Sequence, residues 1–262
     1  MGPQIITLTT DFGASSAYVA AMKGVILSIN PAATIIDVTH AVPPQDVREG
    51  ALVLADVAPW FPEGTLHVAV VDPGVGTSRQ IVFAQIGRQA FLGPNNGLFS
   101  RLALLTPPTT IIAVTASEHW LPQVSNTFHG RDIMAPVAAR LSLGLPPERL
   151  GPRLDRLLML PWAEVRVSER KVEGRVQSID SFGNLITDIT DAALADAPRG
   201  DGTKITCDEH ETQGIFRTYA DQPEMTLIAL VGSSGHLELS IVGDSAAIML
   251  GVKVGTPVVV TW

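Results

Sequence analysis

The sequence predicts an α/β protein with an N-terminal, mainly parallel α/β sandwich domain and a smaller C-terminal antiparallel β-barrel domain. In the first part of the chain, short runs rich in Ile, Val and Thr alternate with segments of helical periodicity. This alternation is typical of a mainly parallel sheet covered by helices. In the last part, short strand-like runs follow one another across Gly, Asp and Ser turns with little helical periodicity, which indicates a small antiparallel barrel or sandwich.

The N-terminal domain is placed at residues 1–145. Its strands are predicted from apolar runs flanked by Gly, Pro or Asp, over residues 5–9, 34–38, 65–71, 81–86 and 110–114. Its helices are predicted over residues 17–30, 46–58, 96–105 and 133–143. The first helix ends before Pro31, the second begins behind Pro43 and Pro44, and Asp132 is the candidate N-cap of the fourth.

A linker is predicted over residues 146–170, where the chain is rich in Pro, Arg and Leu and shows no steady period. The C-terminal domain then occupies residues 171–262. Its strands are predicted over residues 171–179, 185–189, 204–207, 226–231, 236–241, 246–250 and 257–262.

The composition narrows the class of protein. A chain of 262 residues with 46% hydrophobic and 17% charged residues can bury a large core and is expected to be globular. The formal net charge of -8 gives no basic stripe for a phosphate backbone, so no nucleic acid partner is expected. No apolar run approaches the roughly 18 to 20 residues that span a bilayer, so no membrane association is expected.

Cysteine and histidine usage gives further expectations. Cys207 is the single cysteine and cannot form an internal disulfide, and the starting sequence Met-Gly-Pro-Gln-Ile lacks the charged and apolar regions of a secretion signal. A cytoplasmic protein is therefore expected by default. His40, His67, His119 and His129 do not form pairs at the close spacings of metal-ligand sets, so no metal site is predicted.

The candidate catalytic residues are Asp72 and Arg79, in the loop Asp-Pro-Gly-Val-Gly-Thr-Ser-Arg, and His129, in the segment Phe-His-Gly-Arg-Asp. Each polar group follows an apolar run, where the end of a strand would present it at the edge of a sheet. The same residues also have structural interpretations: a glycine turn, a solvated arginine and a core imidazole. The residues alone leave both interpretations open.

Asp11 lies in the string Thr-Asp-Phe-Gly that closes the first predicted strand. A carboxylate there is well placed to accept both hydroxyls of a ribose, or it simply forms a turn. The Asp-Phe-Gly string also occurs in protein kinases, but no Gly-rich loop, strand lysine or His-Arg-Asp loop accompanies it. Residues 87–97 lack the fingerprint of a dinucleotide or phosphate loop, and no Gly-x-Ser-x-Gly elbow is present.

Several motifs follow one another along nearly the whole chain. They are Thr-Thr-Asp-Phe-Gly at residues 9–13, Val-Val-Asp-Pro-Gly-Val-Gly-Thr at residues 70–77 with Arg79, Gly-Pro-Asn-Asn-Gly at residues 93–97, Phe-His-Gly-Arg-Asp at residues 128–132, and Asp-Ser-Phe-Gly-Asn-Leu at residues 180–185. This ordered set resembles that of the S-adenosyl-L-methionine (SAM) hydrolases that form adenosine, also called SAM hydroxide adenosyltransferases. That family is related to fluorinating and chlorinating enzymes that attack the same carbon of SAM with a halide.

The resemblance implies hydrolysis of SAM to adenosine and L-methionine by attack of an activated water on the ribose 5′ carbon. It implies that Asp72, Arg79 and His129 position and activate this water. The implied substrate contacts are Asp11 with the ribose, Asn96 with the substrate, Asp180 with the methionine ammonium, Phe182 and Asn184 with the adenine, and Ser233 or Ser234 with the methionine carboxylate. No cofactor is implied, because SAM is the substrate. The resemblance also implies a homotrimer whose active sites lie between the N-terminal domain of one subunit and the C-terminal domain of its neighbour.

A SAM-dependent halogenase is the alternative within the enzyme class. The fluorinating enzymes carry Tyr-Pro-Ala-Thr-Gly where this chain has residues 72–76, and a carboxylate at Asp72 would repel a halide, so hydrolysis is favoured. A sensor that binds SAM or adenosine without turnover would keep Asp11, Phe182 and Asn184 and lose the water-activating set. All three members of that set are present in this chain.

Overall fold

The computed structural model describes residues 5–262. This part of the chain divides into two compact units, an N-terminal unit that ends at Pro161 and a C-terminal unit of residues Trp162–Trp262. The division falls inside the segment 146–170, which also contains a 3-10 helix at Pro147–Leu150 and a short strand at Arg166–Ser168. Within the described residues, no helix combines the length and apolar character needed to cross a membrane.

The N-terminal unit is built around one sheet with helices on both faces. Its strands are β1 (Ile5–Thr10), β2 (Thr34–Thr39), β3 (Leu66–Val70), β4 (Ile81–Ile86), β5 (Gln89–Pro94) and β6 (Pro108–Ala113). Its α-helices are α1 (Ala17–Ile29), α2 (Val47–Val57), α3 (Ser100–Leu105) and α4 (Ala135–Ser142). A π-helical turn at Gly130–Met134 leads directly into α4, and short 3-10 helices lie at Ala58–Trp60 and Ser117–His119.

The strand order of this sheet is β2-β1-β3-β5-β4-β6. Strand β1 runs parallel to β2 and β3, and β3 runs parallel to β5, whereas β4 is antiparallel to both β5 and β6. The predicted mainly parallel α/β architecture is therefore confirmed, with β4 as its antiparallel member. Strand β5 was not predicted, because its sequence Gln-Ala-Phe-Leu-Gly-Pro ends in residues that normally indicate a turn.

Strand β3 shows how the two covered faces arise. Val68 and Val70 pack in the core that contains residues of α1 and α4, whereas Ala69 and Val71 pack with Leu54 of α2 on the opposite face. Successive residues of a strand point to opposite faces, so a fully apolar strand requires cover on both. The helices therefore occupy the faces and leave the edge formed by the strand ends for polar side chains.

Capping side chains set the starts of the first two helices. The Ser16 hydroxyl accepts a hydrogen bond from the Tyr18 N–H at 3.2 Å, and Asp46 accepts one from the Glu49 N–H at 2.9 Å. The prediction that Asp132 caps the fourth helix was wrong. Helical geometry already begins at Gly130, and the Asp132 carboxylate accepts the backbone N–H of Ser125, outside the helix, at 2.8 Å.

The C-terminal unit is an antiparallel barrel that is nearly closed. Its elements are β7 (Arg166–Ser168), β8 (Lys171–Ile179), β9 (Leu185–Thr190), β10 (Lys204–Cys207), β11 (His210–Gln213), β12 (Leu227–Val231), β13 (His236–Ile241), α5 (Ala246–Leu250) and β14 (Pro257–Thr261). The strand order is β11-β10-β14-β8-β9-β13-β12, with β7 beside β8. Thr212 of β11 donates a side-chain hydrogen bond to the Leu227 carbonyl of β12 at 2.8 Å, so the two edge strands are linked. The predicted β-barrel is confirmed.

The prediction of a strand over residues 246–250 was wrong, because this segment is helix α5. The Ser245 side chain accepts the Ile248 N–H at 3.3 Å, and Gly251 ends the helix with a φ of 66°. A capping serine and a left-handed glycine therefore enclose an apolar run that is too short to show helical periodicity.

Candidate active site

Three of the predicted site residues lie at one edge of the N-terminal sheet. Strands β1, β3 and β5 are parallel neighbours, so their carboxyl ends meet at the same edge. Asp11 follows β1 directly, and Asp72 and Asn96 follow shortly after the ends of β3 and β5. Polar side chains from different parts of the sequence are thereby gathered around one edge of the sheet.

Asp72, Arg79 and His129 form a hydrogen-bonded trio. Arg79 Nε lies 2.9 Å from each carboxylate oxygen of Asp72, and Arg79 Nη2 also contacts Asp72 Oδ2. The same Nη2 lies 2.9 Å from His129 Nδ1. The side chains of Asp72 and Arg79 are only 5% and 12% exposed, so the ion pair is shielded from water and its geometry is well defined. The structure thus brings together the three residues singled out in the sequence.

The loop that carries Asp72 and Arg79 packs directly against the segment that precedes His129. Gly76 has a φ of +79°, and a side chain at this position would place its Cβ 2.3 Å from the Asn126 carbonyl oxygen. Real side chains do not tolerate such a contact, so only glycine permits this approach. Glycine at position 76 is therefore required for the close packing of the two segments that carry the trio.

His129 is held by a network centred on Asp132. The Asp132 side chain is buried; besides accepting the Ser125 N–H, it receives a hydrogen bond from Arg131 Nε at 2.6 Å. Ser125 in turn accepts the Phe128 N–H at 3.1 Å, and the Asp132 carbonyl accepts the Leu121 N–H at 2.9 Å. These bonds fix the loop before His129 against the π-helical turn that follows it. Such turns are frequent at functional sites.

The contact with Arg79 determines the tautomer of His129. A guanidinium only donates hydrogen bonds, so His129 Nδ1 must accept, and in the neutral ring the proton lies on Nε2. Burial lowers the pKa of His129 below its ordinary value, and the Arg79 charge lowers it further, while Asp72 and Asp132 oppose the shift. The ring is therefore neutral near pH 7 and presents one N–H donor.

Asp11 and Asn96 have local partners. Asp11 Oδ2 accepts the backbone N–H of Gln45 at 2.8 Å, and Gln45 adopts a φ of 66°, which is unusual for a residue with a side chain. Asn96 donates to the Val71 carbonyl at 2.9 Å and accepts the Leu98 N–H at 3.2 Å. Asn96 therefore holds the backbone immediately before Asp72. Among the described residues, Asp11 Oδ1 has no hydrogen-bond partner.

In the C-terminal unit, Asp180, Phe182 and Asn184 share one turn between β8 and β9. Asp180 Oδ1 accepts the N–H groups of Phe182 and Asn184, each at 2.9 Å, and Asp180 Oδ2 accepts the Asn184 side-chain amide at 2.9 Å. The Phe182 ring is 79% exposed, whereas Asn184 is buried. Ser233 and Ser234 are exposed and lie in a different turn, between β12 and β13.

Two residues at the sheet edge were not identified from the sequence as site residues. Gln45 contributes only a backbone N–H to Asp11, so no side-chain pattern could have revealed it. His40 contacts Thr10, next to Asp11, at 2.9 Å. Its position after the apolar run of β2 is a sequence signal that could have indicated a site residue. In the described part of the chain, no three His, Cys, Asp or Glu side chains group in a way that could hold a metal ion.

The chain consists of an α/β unit followed by a β-barrel unit. At the sheet edge of the α/β unit, a carboxylate, a guanidinium and an imidazole are hydrogen-bonded to one another. This fold and this site are those of an enzyme. The chain belongs to the SAM hydroxide adenosyltransferase family. The family model of the N-terminal domain matches residues 6–151, and that of the C-terminal domain matches residues 174–259. The resemblance drawn from the motifs is thereby confirmed.

Named relatives and a solved structure agree with this assignment. An (R)-S-adenosyl-L-methionine hydrolase of Thermus thermophilus is 40% identical over 259 residues, covering 95% of this chain and 96% of the relative. A fluorinase of Nocardia brasiliensis is 30% identical over 291 residues, covering 97% of this chain and 95% of the relative. The crystal structure of an uncharacterized conserved protein from Thermotoga maritima has a TM-score of 0.93 at 36% identity, covering 98% of this chain and 100% of that chain.

Proposed function

We propose that this protein hydrolyses SAM to adenosine and L-methionine by attack of water on the ribose 5′ carbon. The observation that supports this proposal most is the trio of Asp72, Arg79 and His129, in a chain 40% identical to a relative named (R)-S-adenosyl-L-methionine hydrolase. Because that name specifies the (R) epimer, we propose the (R) epimer of SAM as the substrate.

The proposed reaction is a single displacement. The water oxygen forms a bond to the 5′ carbon while the bond from that carbon to sulfur breaks, and sulfur keeps the electron pair as the neutral thioether of methionine. One water proton is released. Because the sulfonium is already a good leaving group, the protein has to align the water, exclude other water and accept the proton.

The contacts of the trio suggest a division of these tasks. Asp72 Oδ1 receives one hydrogen bond, from Arg79 Nε, so it retains an acceptor position for the proton of the attacking water. Arg79 joins the carboxylate to the imidazole and fixes both. His129 presents its Nε2–H, which would hold the water oxygen while leaving a lone pair free for attack.

For substrate binding we propose that Asp11 accepts hydrogen bonds from the ribose hydroxyls. We propose that Asn96 shapes the substrate site by holding the backbone immediately before Asp72. Asp180 has three donors on its carboxylate and retains a lone pair for the methionine ammonium. The exposed Phe182 ring would cover the adenine. Asn184 would contact the adenine edge, and Ser233 or Ser234 the methionine carboxylate.

We further propose, on the family resemblance, a homotrimer in which each active site combines the N-terminal domain of one subunit with the C-terminal domain of its neighbour. A cytoplasmic location and the absence of any cofactor besides the substrate belong to the same proposal.

A halogenase is the second candidate, because fluorinases are among the relatives at 30% identity. In this chain the carboxylate of Asp72 and its ion pair with Arg79 occupy the loop after β3. A halide next to this carboxylate would be repelled, whereas a water would be oriented by it. The same geometry therefore favours water as the nucleophile.

Separate incubation with the (R) and (S) epimers of SAM in H₂¹⁸O, with and without chloride and fluoride, tests the proposal. From the (R) epimer we expect adenosine that carries ¹⁸O at the 5′ hydroxyl, together with unlabelled methionine, and no effect of either halide on the products. Asp72→Asn should lower kcat by about 10² to 10⁴, the usual contribution of a general base, while adenosine still binds. A 5′-halogenated nucleoside as the product, or no turnover of either epimer, would overturn the proposal.

A further inference from the structure

His40 lies at the same sheet edge as Asp11 and contacts the turn that carries it. It follows strand β2, which is the parallel neighbour of β1. Its Nδ1 lies 2.9 Å from the Thr10 hydroxyl, and its carbonyl accepts the Gly13 N–H at 2.8 Å. His40 therefore holds both ends of the turn, Thr10 before Asp11 and Gly13 after it.

The hydrogen bonds around Thr10 have a consistent direction. The Phe12 N–H donates to the Thr10 hydroxyl oxygen at 3.2 Å. The Asp37 carboxylate beside His40 Nε2 favours a proton on that nitrogen, so that Nδ1 accepts the proton of the Thr10 hydroxyl. In this arrangement the ring proton is on Nε2, which is buried and lies 3.0 Å from Asp37 Oδ1. This contact is an electrostatic one and does not meet the geometry of a hydrogen bond.

Asp37 in turn is anchored by Lys23, whose Nζ lies 2.5 Å from Asp37 Oδ2. Burial acts to raise the pKa of Asp37, but the contacts with Lys23 and His40 outweigh it and lower the pKa below its usual value. The carboxylate is therefore charged, and it favours the tautomer of His40 that leaves Nδ1 free to accept from Thr10.

The segment after β2 supplies a second restraint on the same turn. Gln45 donates its backbone N–H to Asp11 Oδ2 at 2.8 Å. His40 and Gln45 therefore act together, the first on the backbone around Asp11 and the second on its carboxylate. With Oδ2 occupied, the direction of Oδ1 is set by the conformation of the Thr10–Gly13 turn.

We propose that His40 is a positioning residue that orients the Asp11 carboxylate toward vicinal ribose hydroxyls and so determines the affinity for ribonucleosides over their deoxy analogues. This inference rests on the proposed role of Asp11 in ribose binding. It predicts that loss of the Thr10–His40 hydrogen bond weakens only those ligands that have the hydroxyls.

The test is calorimetric binding of adenosine and of 2′,3′-dideoxyadenosine to the full-length protein and to matched variants. His40→Asn places an amide oxygen near the position of Nδ1 and keeps the acceptor for Thr10, whereas His40→Gln places its amide near Nε2 and loses that acceptor. Thr10→Val removes only the hydroxyl. Asp11→Asn reports the role of Asp11 itself, and thermal unfolding shows that each variant is folded.

For the unaltered protein we expect adenosine to bind about 100-fold more tightly than the dideoxy analogue, since two hydrogen bonds to a carboxylate are lost. In His40→Gln and Thr10→Val, adenosine should bind about 10-fold more weakly while the dideoxy analogue changes less than about 2-fold. His40→Asn should stay within about 3-fold of the unaltered protein for both ligands.

The outcomes separate this inference from the assignment of Asp11. If the unaltered protein and Asp11→Asn discriminate equally between the two nucleosides, the ribose role of Asp11 is wrong and that of His40 with it. If only Asp11→Asn loses discrimination, while His40→Gln and Thr10→Val keep it, the positioning role alone is wrong. An equal loss of affinity for both nucleosides in His40→Gln, or a failure of His40→Asn to restore binding, would also overturn the role of His40.

Discussion

His129 accepts a hydrogen bond from a guanidinium, and this contact fixes its charge. Protonation of Nδ1 would place two donors face to face across a separation that is 2.9 Å in the structure. Burial, together with the positive charge of Arg79, keeps the pKa of His129 below its ordinary value of 6.5. A charged ring would therefore have to leave Arg79, and the trio would lose the arrangement that orients Asp72.

We expect kcat/KM for SAM to be constant near pH 7 and to fall in acid with an apparent pKa below 6.5, as His129 becomes protonated. His129→Asn keeps an acceptor near Nδ1 that does not titrate, so its lower activity should show a flattened acid limb. Steady-state formation of adenosine between roughly pH 4.5 and 8 measures both profiles. An unchanged acid limb in the variant would show that a group other than His129 causes it.

The same shift has a consequence for stability. Because the pKa of His129 is depressed in the folded protein, the unfolded chain binds this proton more tightly. The stability that His129 contributes is therefore complete above the unfolded pKa of about 6.5 and is lost as the pH falls through the depressed folded value.

At the scale of elements, the site depends on how closely two loops approach. Gly76 and Gly64 have the same φ of +79°, but a Cβ at Gly76 would meet the Asn126 carbonyl oxygen at 2.3 Å, whereas a Cβ at Gly64 meets nothing within 4 Å. A side chain at Gly64 would therefore cause backbone strain alone, whereas a side chain at Gly76 would cause the same strain and a steric clash. Gly64 lies outside the loops that carry the trio.

We expect Gly64→Ala to lower the free energy of unfolding by about 1 to 2 kcal/mol, the cost of a left-handed alanine, with little change in kcat. Gly76→Ala should lose the same amount plus the cost of moving the loop, and its kcat should fall by about 10²-fold, because the trio is displaced by roughly 1 Å. Urea unfolding and steady-state rates measure the two effects. Equal activity in the two variants would show that the loop approach is not needed for catalysis.

The elements also show which parts of the fold could be predicted from sequence. Mostly apolar strands without Gly or Pro, such as β4 with the sequence Ile-Val-Phe-Ala-Gln-Ile, were predicted with the observed ends, because their burial leaves a clear composition signal. Strand β5 was not predicted, because it ends in Gly93 and Pro94, which normally indicate a turn. Helix α5 was predicted as a strand, because its five residues are too few to show helical periodicity. The sequence predicts Asp132 as a helix cap, whereas the structure shows that it anchors a loop; a cap and a loop anchor look alike in sequence.

The same limit applies to the candidate site. Asp72 and Arg79 lie on one loop, so their pairing could be anticipated from their separation of seven residues. His129 is 50 residues from Arg79, and its contact depends on the Gly76 approach and the Asp132 network. Contacts that depend on long-range packing leave no local pattern, and this is also why the contact of Gln45 with Asp11 could not be predicted.

At the scale of the whole molecule, each unit has a hydrophobic core of its own. Val68 of β3 belongs to the core of the N-terminal unit, and Val258 of β14 to the core of the C-terminal unit; both are fully buried. Cys207 is also buried in the C-terminal core and lies opposite Val258 in the sheet. The single cysteine therefore reports on the opening of one of the two cores.

Burial, with a smaller contribution from Asp208, raises the pKa of the Cys207 thiol to about 11. At pH 8 we expect it to react with a thiol reagent more than about 100-fold more slowly than cysteine in an unfolded peptide, from the loss of thiolate alone. Val258→Ala should raise the labelling rate by about 30-fold, because a loss of roughly 2 kcal/mol opens the C-terminal core more often. Val68→Ala, an equally buried truncation in the other core, should raise it less. Equal acceleration of labelling by the two variants would mean that the two cores open in one cooperative transition. A difference between the two labelling rates measures how far the C-terminal core opens independently of the N-terminal core.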